Sequence, residues 1–369
     1  MSDYFPPTFP LTGELESPAV LKKLISAHRY LAELKGVVAT IPNEEILIST
    51  LSLQEAKDSS EIENIITTHD EIFKAALFAS IVRSSAAKEV SQYAAALRKG
   101  FKLVKDTGLL TNNHLLIIQG ELEQNTAGFR KLPGTALKNE RTGEVVFTPP
   151  QEAGDIKKLM KNLELYINEN DMCELDPLVK MALIHHQFES IHPFYDGNGR
   201  TGRIICILYL YAQGLLELPV LYLSRFIIQN KDEYYRLLQE TRDTGDYEPW
   251  VIYMLSGIEI TSRQTIGIIK NIKEIMADYK HRIRRDLPKI YSQELLNNLF
   301  KHPYTKIEFL QQDIGKSRIT ATKYLETLTE ARFLQKEKIG KYNYYMNVPL
   351  LDALINLPKL EQHEEGMRI

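Results

Sequence analysis

The segment His192-Pro193-Phe194-Tyr195-Asp196-Gly197-Asn198-Gly199-Arg200-Thr201-Gly202-Arg203 gathers groups suited to phosphate chemistry. His192 is a proton acceptor near neutral pH. Asp196 is a hard oxygen ligand of the kind Mg²⁺ takes together with substrate phosphates. Gly197 and Gly199 flank Asn198, so the backbone can adopt left-handed conformations and approach a ligand closely. The loop runs into a helix N-terminus, whose unpaired N–H groups and dipole attract anions. Arg200 and Arg203 lie three apart on the first helical turn, and their planar forks suit phosphate oxygens. Taken singly, each residue fits a polar loop with a helix cap and two solvated arginines. A base, a carboxylate, an anion cradle and two arginines in one short segment point to a phosphate-handling site instead.

The elements that must position this loop read mostly as helix. Asp176-Pro177 opens the helix before it, with Met181, Ile184, His185, Phe188 and Ile191 as a buried stripe. His185 on that stripe reads as a packed core histidine, since no H-E-x-x-H pattern accompanies it. The helix after the loop runs from about Arg200 to Ala212, with Gly214 as its stop. Upstream, Pro18–Lys35 has apolar residues at helical spacing, and further helical runs cover Ile46–Glu55 and Ser60–Ala79. Gly128–Pro150 breaks the pattern: Thr135–Asn139 and Glu144–Thr148 predict a β-hairpin turned at Glu140-Arg141-Thr142-Gly143. After Ser262 a charged helix, Lys270–Arg285, reads as a connector. Helices near Ser292–Phe300, Ile307–Ile314 and Ser317–Ala331, then strands Phe333–Ile339 and Tyr342–Val348, give the layout of a winged helix-turn-helix.

The loop resembles the signature of the Fic domain family, H-P-F-x-[D/E]-G-N-G-R-x-x-R, at every fixed position. The resemblance implies a mainly α fold: a Fic helical core with a β-hairpin flap, followed by the winged helix. It divides the chain into an N-terminal helical region (1–100), a catalytic core (101–265), a connector (266–289) and the winged-helix domain (290–369). It implies a protein adenylyltransferase that moves AMP from ATP to Ser, Thr or Tyr hydroxyls. By that resemblance His192 deprotonates the target hydroxyl, and Asp196 holds Mg²⁺ against the α- and β-phosphates. Gly197, Asn198 and Gly199 cradle phosphate, Arg200 and Arg203 neutralise the pyrophosphate side, and Thr201 and Gly202 complete the ATP-binding stretch. Tyr234 and Tyr235 fall where the family shapes the nucleotide pocket, and equally fit a packed aromatic pair. The hairpin resembles the family's flap, whose edge around Val145, Val146 and Phe147 could take an extended target segment by strand addition.

Ser59, Glu63 and Asn64 look like the family's inhibitory motif, [S/T]-x-x-x-E-[G/N], with Ser59 and Glu63 on one helix face. The resemblance implies that Glu63 pairs with Arg203, reaching into the ATP site and leaving ATP in an unproductive pose. Two other readings stay open. In one, Glu63 orients water, giving a de-AMPylase or bifunctional enzyme. In the other, a DNA-binding regulator carries a nucleotide-sensing core.

Composition sets the outer bounds. The chain has 369 residues, 44% hydrophobic and 25% charged, with a formal net charge of −3. That is ordinary for a globular protein of two or three domains and argues against a whole-chain nucleic-acid or membrane binder. Lys316, Arg318, Lys323, Arg332, Lys336, Lys338 and Lys341 give the winged helix a modest basic excess that suits DNA contact, a protein-docking role or a homodimer. Cys173 and Cys206 stand in no metal or redox spacing and read as small buried side chains. The N-terminus lacks signal-peptide character, and the longest apolar stretch, Ile204–Leu216, falls short of the ~20 residues a membrane helix needs. The expected location is the cytoplasm, and the expected partners are ATP and a protein substrate, which includes the chain itself.

Overall fold

A computed structural model describes residues 4–78, 84–138 and 142–356. The chain is mainly helical with small antiparallel sheets. Helix α1 (Pro18–Val38) starts at Ser17, whose side chain accepts from the Val20 N–H, with Pro18 in the first turn. Helix α2 (Glu44–Ile62) is buried almost all round, and its interior face carries Thr50, Ser52, Gln54, Glu55, Asp58, Ser59 and Ser60. So many buried polar side chains on one helix must find partners elsewhere in the fold.

The sequence pattern joined Ser60–Ala79 in one helix, but the structure breaks it. Glu63 caps α2, Asn64 takes a left-handed φ of 61°, and α3 (His69–Leu77) starts afresh behind Thr68. Thr68 and Glu71 form a capping box there. Low Gly and Pro content hid a stop made by an asparagine. Ala79 itself lies outside the described residues.

Helices α4 (Ser85–Thr107) and α5 (Asn112–Glu123) pack together and lead to a hairpin, β1 (Leu137–Lys138) and β2 (Val145–Phe147). Leu137 pairs with Phe147 and Lys138 with Val145, an irregular register. Both strands are shorter than the sequence pattern predicts, and residues 139–141 of its turn lie outside the described residues. Helix α6 (Ala153–Asn168) then leads to α7 (Pro177–Ile191) and α8 (Asn198–Ala212), which form the centre of the core. Residues 178–191 of α7 are all buried, as a central helix requires. Asp176 accepts from the Leu178 N–H as N-cap and also pairs with His28 of α1 at 2.8 Å.

Helices α9 (Leu223–Gln229), α10 (Lys231–Thr244) and α11 (Glu248–Asp286) close the core. The charged connector is the distal part of the 39-residue α11, which packs along α1 and carries Trp250, whose indole donates to the Ala182 carbonyl of α7. Beyond it come α12 (Gln293–Lys301), β3 (Tyr304–Thr305), α13 (Ile307–Ile314), α14 (Arg318–Glu330), β4 (Gln335–Ile339), β5 (Tyr342–Met346) and α15 (Val348–Ile355). The predicted three helices and hairpin are there. The third strand, β3 against β5, and α15 were not visible in the sequence pattern. This unit docks on α2 and α3: Tyr304 donates to Asp70 at 2.8 Å and Lys306 to the Leu77 carbonyl at 2.6 Å. Cys206 is buried and Cys173 only half-buried. Among the described residues no helix is long and apolar enough to cross a membrane.

Candidate active site

Helix α7 ends at His192, which takes a left-handed φ of 48° as its C-cap. A non-glycine residue in that region costs roughly 1–2 kcal/mol, so neighbouring contacts must hold it. Arg130 supplies them. It is buried, its Nε donates to the His192 carbonyl and its Nη2 to the Pro150 carbonyl, both at 2.8 Å, and its own N–H donates to the Pro193 carbonyl at 2.8 Å. Burial, with the Arg130 and Arg242 cations nearby, pushes the His192 imidazole down to about 3, so it is neutral at pH 7 with a lone pair to accept a proton.

The loop between the helices is clamped by Asn198. Its Oδ1 accepts from the Phe194 N–H and its Nδ2 donates to the Phe194 carbonyl, both at 2.8 Å. The Asn198 side chain thus braces the loop from inside. Asp196 is exposed, and its Oδ1 accepts from the Gly197 N–H at 2.7 Å. Helix α8 begins at Asn198, earlier than predicted, because Gly197 at φ 75° serves as its N-cap.

Each arginine of the loop meets a carboxylate. Arg200 is buried; its Nη2 donates to Glu123 of α5 at 2.8 Å, and its Nη1 lies 3.5 Å from Glu89 of α4. Burial raises the Glu123 carboxyl, against the pull of Arg200. The Glu123 carboxylate also lies against Gly197, where an added Cβ would strike it. Gly197→Ala should therefore lower the unfolding free energy by about 1–2 kcal/mol for the left-handed backbone alone, read as a lower urea midpoint. An unchanged midpoint would contradict this account of the turn.

Arg203 is buried at 1% exposure. Its Nε donates to Ser59 Oγ at 2.8 Å, and its Nη2 donates to the Ser59 carbonyl at 2.9 Å and to Glu63 Oε1 at 2.8 Å. The same Glu63 oxygen crowds Gly199, in the first turn of α8. A carboxylate thus lies against the first turn of the helix whose N-terminus the sequence marks as an anion cradle. Asn64 Oδ1, next in the chain, accepts from Lys231 at 3.2 Å. Thr201 and Gly202 are buried; a Cβ at Gly202 would lie 2.5 Å from Glu189 Oε1, whose carboxyl burial pushes up to about 7.

Tyr234 and Tyr235 split. Tyr234 is a core residue whose hydroxyl meets His185 Nε2 at 2.8 Å, while Tyr235 is exposed. His185 is itself buried and stacked on Trp250, as a core histidine. In the hairpin, Phe147 is buried beneath the Arg242 guanidinium at 4.0 Å, Val145 is half-buried, and Val146 is exposed. The Gln151 side chain ties the hairpin base, accepting from the Gly134 N–H at 2.7 Å and donating to the Thr135 carbonyl at 3.0 Å. Arg130, Glu123 and Arg242 were not singled out in the sequence. The signal available was weak: charged residues at the ends of α5 and α10 and just ahead of the hairpin.

Family models for the Fic/DOC family N-terminal region match residues 21–102, for the Fic/DOC family residues 109–210, and for the SoFic-like protein adenylyltransferase C-terminal domain residues 275–350. The chain belongs to the Fic/DOC family. It is 30% identical over 126 residues to the protein adenylyltransferase fic-1 of Caenorhabditis elegans, covering 34% of this chain and 23% of that protein. It is 32% identical over 112 residues to the protein adenylyltransferase Fic of Drosophila erecta, covering 30% and 21%. The matches thus span under a quarter of these relatives' length. A Fic family protein from Desulfovibrio desulfuricans G20 has the same fold, with a TM-score of 0.55 at 20% identity over 92% of this chain and 98% of that one. Residues 134–508 of Fic-1 from C. elegans give 0.54 at 21% identity over 69% and 74%.

Proposed function

We propose that this Fic protein transfers AMP from ATP to hydroxyl side chains of proteins and is held inactive by Glu63. The observation that carries the reading is the α7–loop–α8 turn. It holds a neutral imidazole, an exposed carboxylate and a helix N-terminus flanked by two buried arginines in one braced loop. In the reaction, the target oxygen forms a bond to the α-phosphorus. The bond from that phosphorus to the bridging oxygen breaks, and pyrophosphate leaves. His192 takes the hydroxyl proton. Arg200, Arg203 and the α8 N-terminus stabilise the negative charge that gathers on pyrophosphate. Asn198 acts through the loop it braces.

Asp196 is the residue that would hold Mg²⁺. Its carboxylate is exposed, and no group of three or more His, Cys, Asp or Glu that could hold a metal occurs among the described residues. One carboxylate with substrate phosphates suits this ion, which when bound supplies charge and a template for the triphosphate. Asp196→Ala should lose transfer to the same extent as EDTA treatment of the parent. Inactivation by EDTA with full activity in Asp196→Ala would assign the metal to another ligand.

The turn before α14 carries exposed Lys316, α14 carries exposed Lys323 and the β4–β5 wing carries exposed Lys338 and Lys341, while Arg318 is paired with Glu308 and Lys336 with Glu326. Incubation with ATP and a lysate, followed by mass spectrometry, tests the activity and names the target together. AMP adducts on hydroxyl residues are expected. Their absence, with a Glu63-substituted variant included, would refute the reading.

A further inference from the structure

We propose that Arg130 is a positioning residue that makes the His192 base and the flap one rigid unit. The inference rests on the adenylyl-transfer reading and adds how the acceptor hydroxyl and its base are kept in register. Arg130 stands just before the hairpin, and Pro150 just after it. One buried guanidinium spans both: Nη2 donates to the Pro150 carbonyl at 2.8 Å and reaches the Ile191 carbonyl at 3.5 Å, while Nε donates to the His192 carbonyl at 2.8 Å. The Arg130 N–H holds the Pro193 carbonyl at 2.8 Å. Both ends of the flap and three successive residues around the left-handed His192 therefore converge on one residue, Ile191 and His192 through its side chain and Pro193 through its backbone N–H.

The chemistry of this contact suits geometry better than plain stability. Arg130 is 1% exposed, and among the described residues no carboxylate pairs with it within 4.0 Å. A buried cation held only by carbonyls, with its Nη1 left without a hydrogen-bond partner, is costly, and an apolar side chain would fill the space at less cost. What an apolar side chain cannot do is fix several carbonyls at set angles, as a planar fork does. The left-handed φ of 48° at His192 is a conformation that persists only where its surroundings over-determine it.

The flap has a second anchor on the same helix. Phe147 lies under Arg242, whose Nε donates to Ser190 of α7 at 3.0 Å, and Tyr195 Oη accepts from the Lys131 N–H at 2.9 Å. A target segment docked along the flap edge is thereby carried on a body whose other end is the imidazole. The separation of hydroxyl and base is set by the chain itself, and not by contacts specific to one target.

Arg130→Lys and Arg130→Met test this, with kcat, KM for ATP and backbone amide exchange read in the full chain, both alone and with Glu63→Gly. Lysine keeps the charge but has no fork. Both variants are expected to lose about 10²-fold in kcat, since small displacements of reacting groups cost that much. KM for ATP should stay within about twofold, because the phosphate groups sit on other residues. Amides in 142–150 and 191–197 should exchange faster together, with those of α8 unchanged. An unchanged kcat in both variants overturns the proposal. So does a loss in KM that matches the loss in kcat, or exchange that rises at only one of the two segments. If neither the parent nor Glu63→Gly transfers AMP, the functional reading falls, and the amide exchange alone decides whether Arg130 couples the two segments.

Discussion

Glu63→Gly is expected to raise AMP incorporation by about 10²-fold, the scale on which a misaligned reacting atom slows a reaction. In the parent, the Glu63 carboxylate holds Arg203 and lies against Gly199, so it engages the guanidinium and crowds the helix turn where the proposed reaction puts phosphate. Removing it does not leave Arg203 stranded. Its Nε keeps Ser59 Oγ and its Nη2 keeps the Ser59 carbonyl. Glycine also suits the end of α2, where Glu63 is already a C-cap. The fold should therefore survive, and the freed Nη2 hydrogen can meet phosphate. Adding Arg203→Ala should remove the whole gain, because both changes act through one pair. Label incorporation in the four proteins, wild type, each single variant and the double, checks this. An unchanged or lower rate in Glu63→Gly would contradict the brake. It would instead favour a catalytic Glu63, as an AMP-removing enzyme requires.

His192→Ala should lower transfer by about 10²–10⁴-fold, the usual worth of a positioned general base. ATP binding, read by calorimetry, should change little, because the arginines and the α8 N-terminus do not depend on the imidazole. Alanine loses the side chain but must still take a left-handed φ, at roughly 1–2 kcal/mol. His192→Asn is the matched control, since asparagine tolerates that region better. Equal loss in both variants with ATP affinity kept assigns the effect to the base. Near-normal transfer in either would remove His192 from that role.

How much of this was legible in the sequence varied with distance along the chain. The α7–loop–α8 unit was readable because its signals are local: Asp176-Pro177 starts one helix, Gly214 stops the next, and the loop between holds the whole motif. Asn198 shows the limit. Its place between two glycines suggested a phosphate cradle, whereas its side chain turns inward to clamp Phe194. Spacing fixes which residues are near one another but not which way a loop side chain faces. Tyr234 and Tyr235 divide as neighbours on a helix must, one inward against His185 and one outward.

Arg130, Glu123 and Ser59 act on the loop from far away in the chain, so no local pattern could assign their partners. The stop after α2 was missed because Asn64 made it without glycine or proline. Strand β3 is only two residues long and exists through pairing with β5, which leaves no periodicity to detect.

The most direct measurement of the central claim uses ATP labelled at the α-phosphate or, separately, at the γ-phosphate, with Glu63→Gly as enzyme and His192→Ala in the same background as control. α-Label is expected to enter protein, γ-label is not, and the control should take up neither. Entry of γ-label would make the reaction a phosphoryl transfer. No α-label with Glu63→Gly, or equal α-label with the control, would contradict adenylyl transfer by this site.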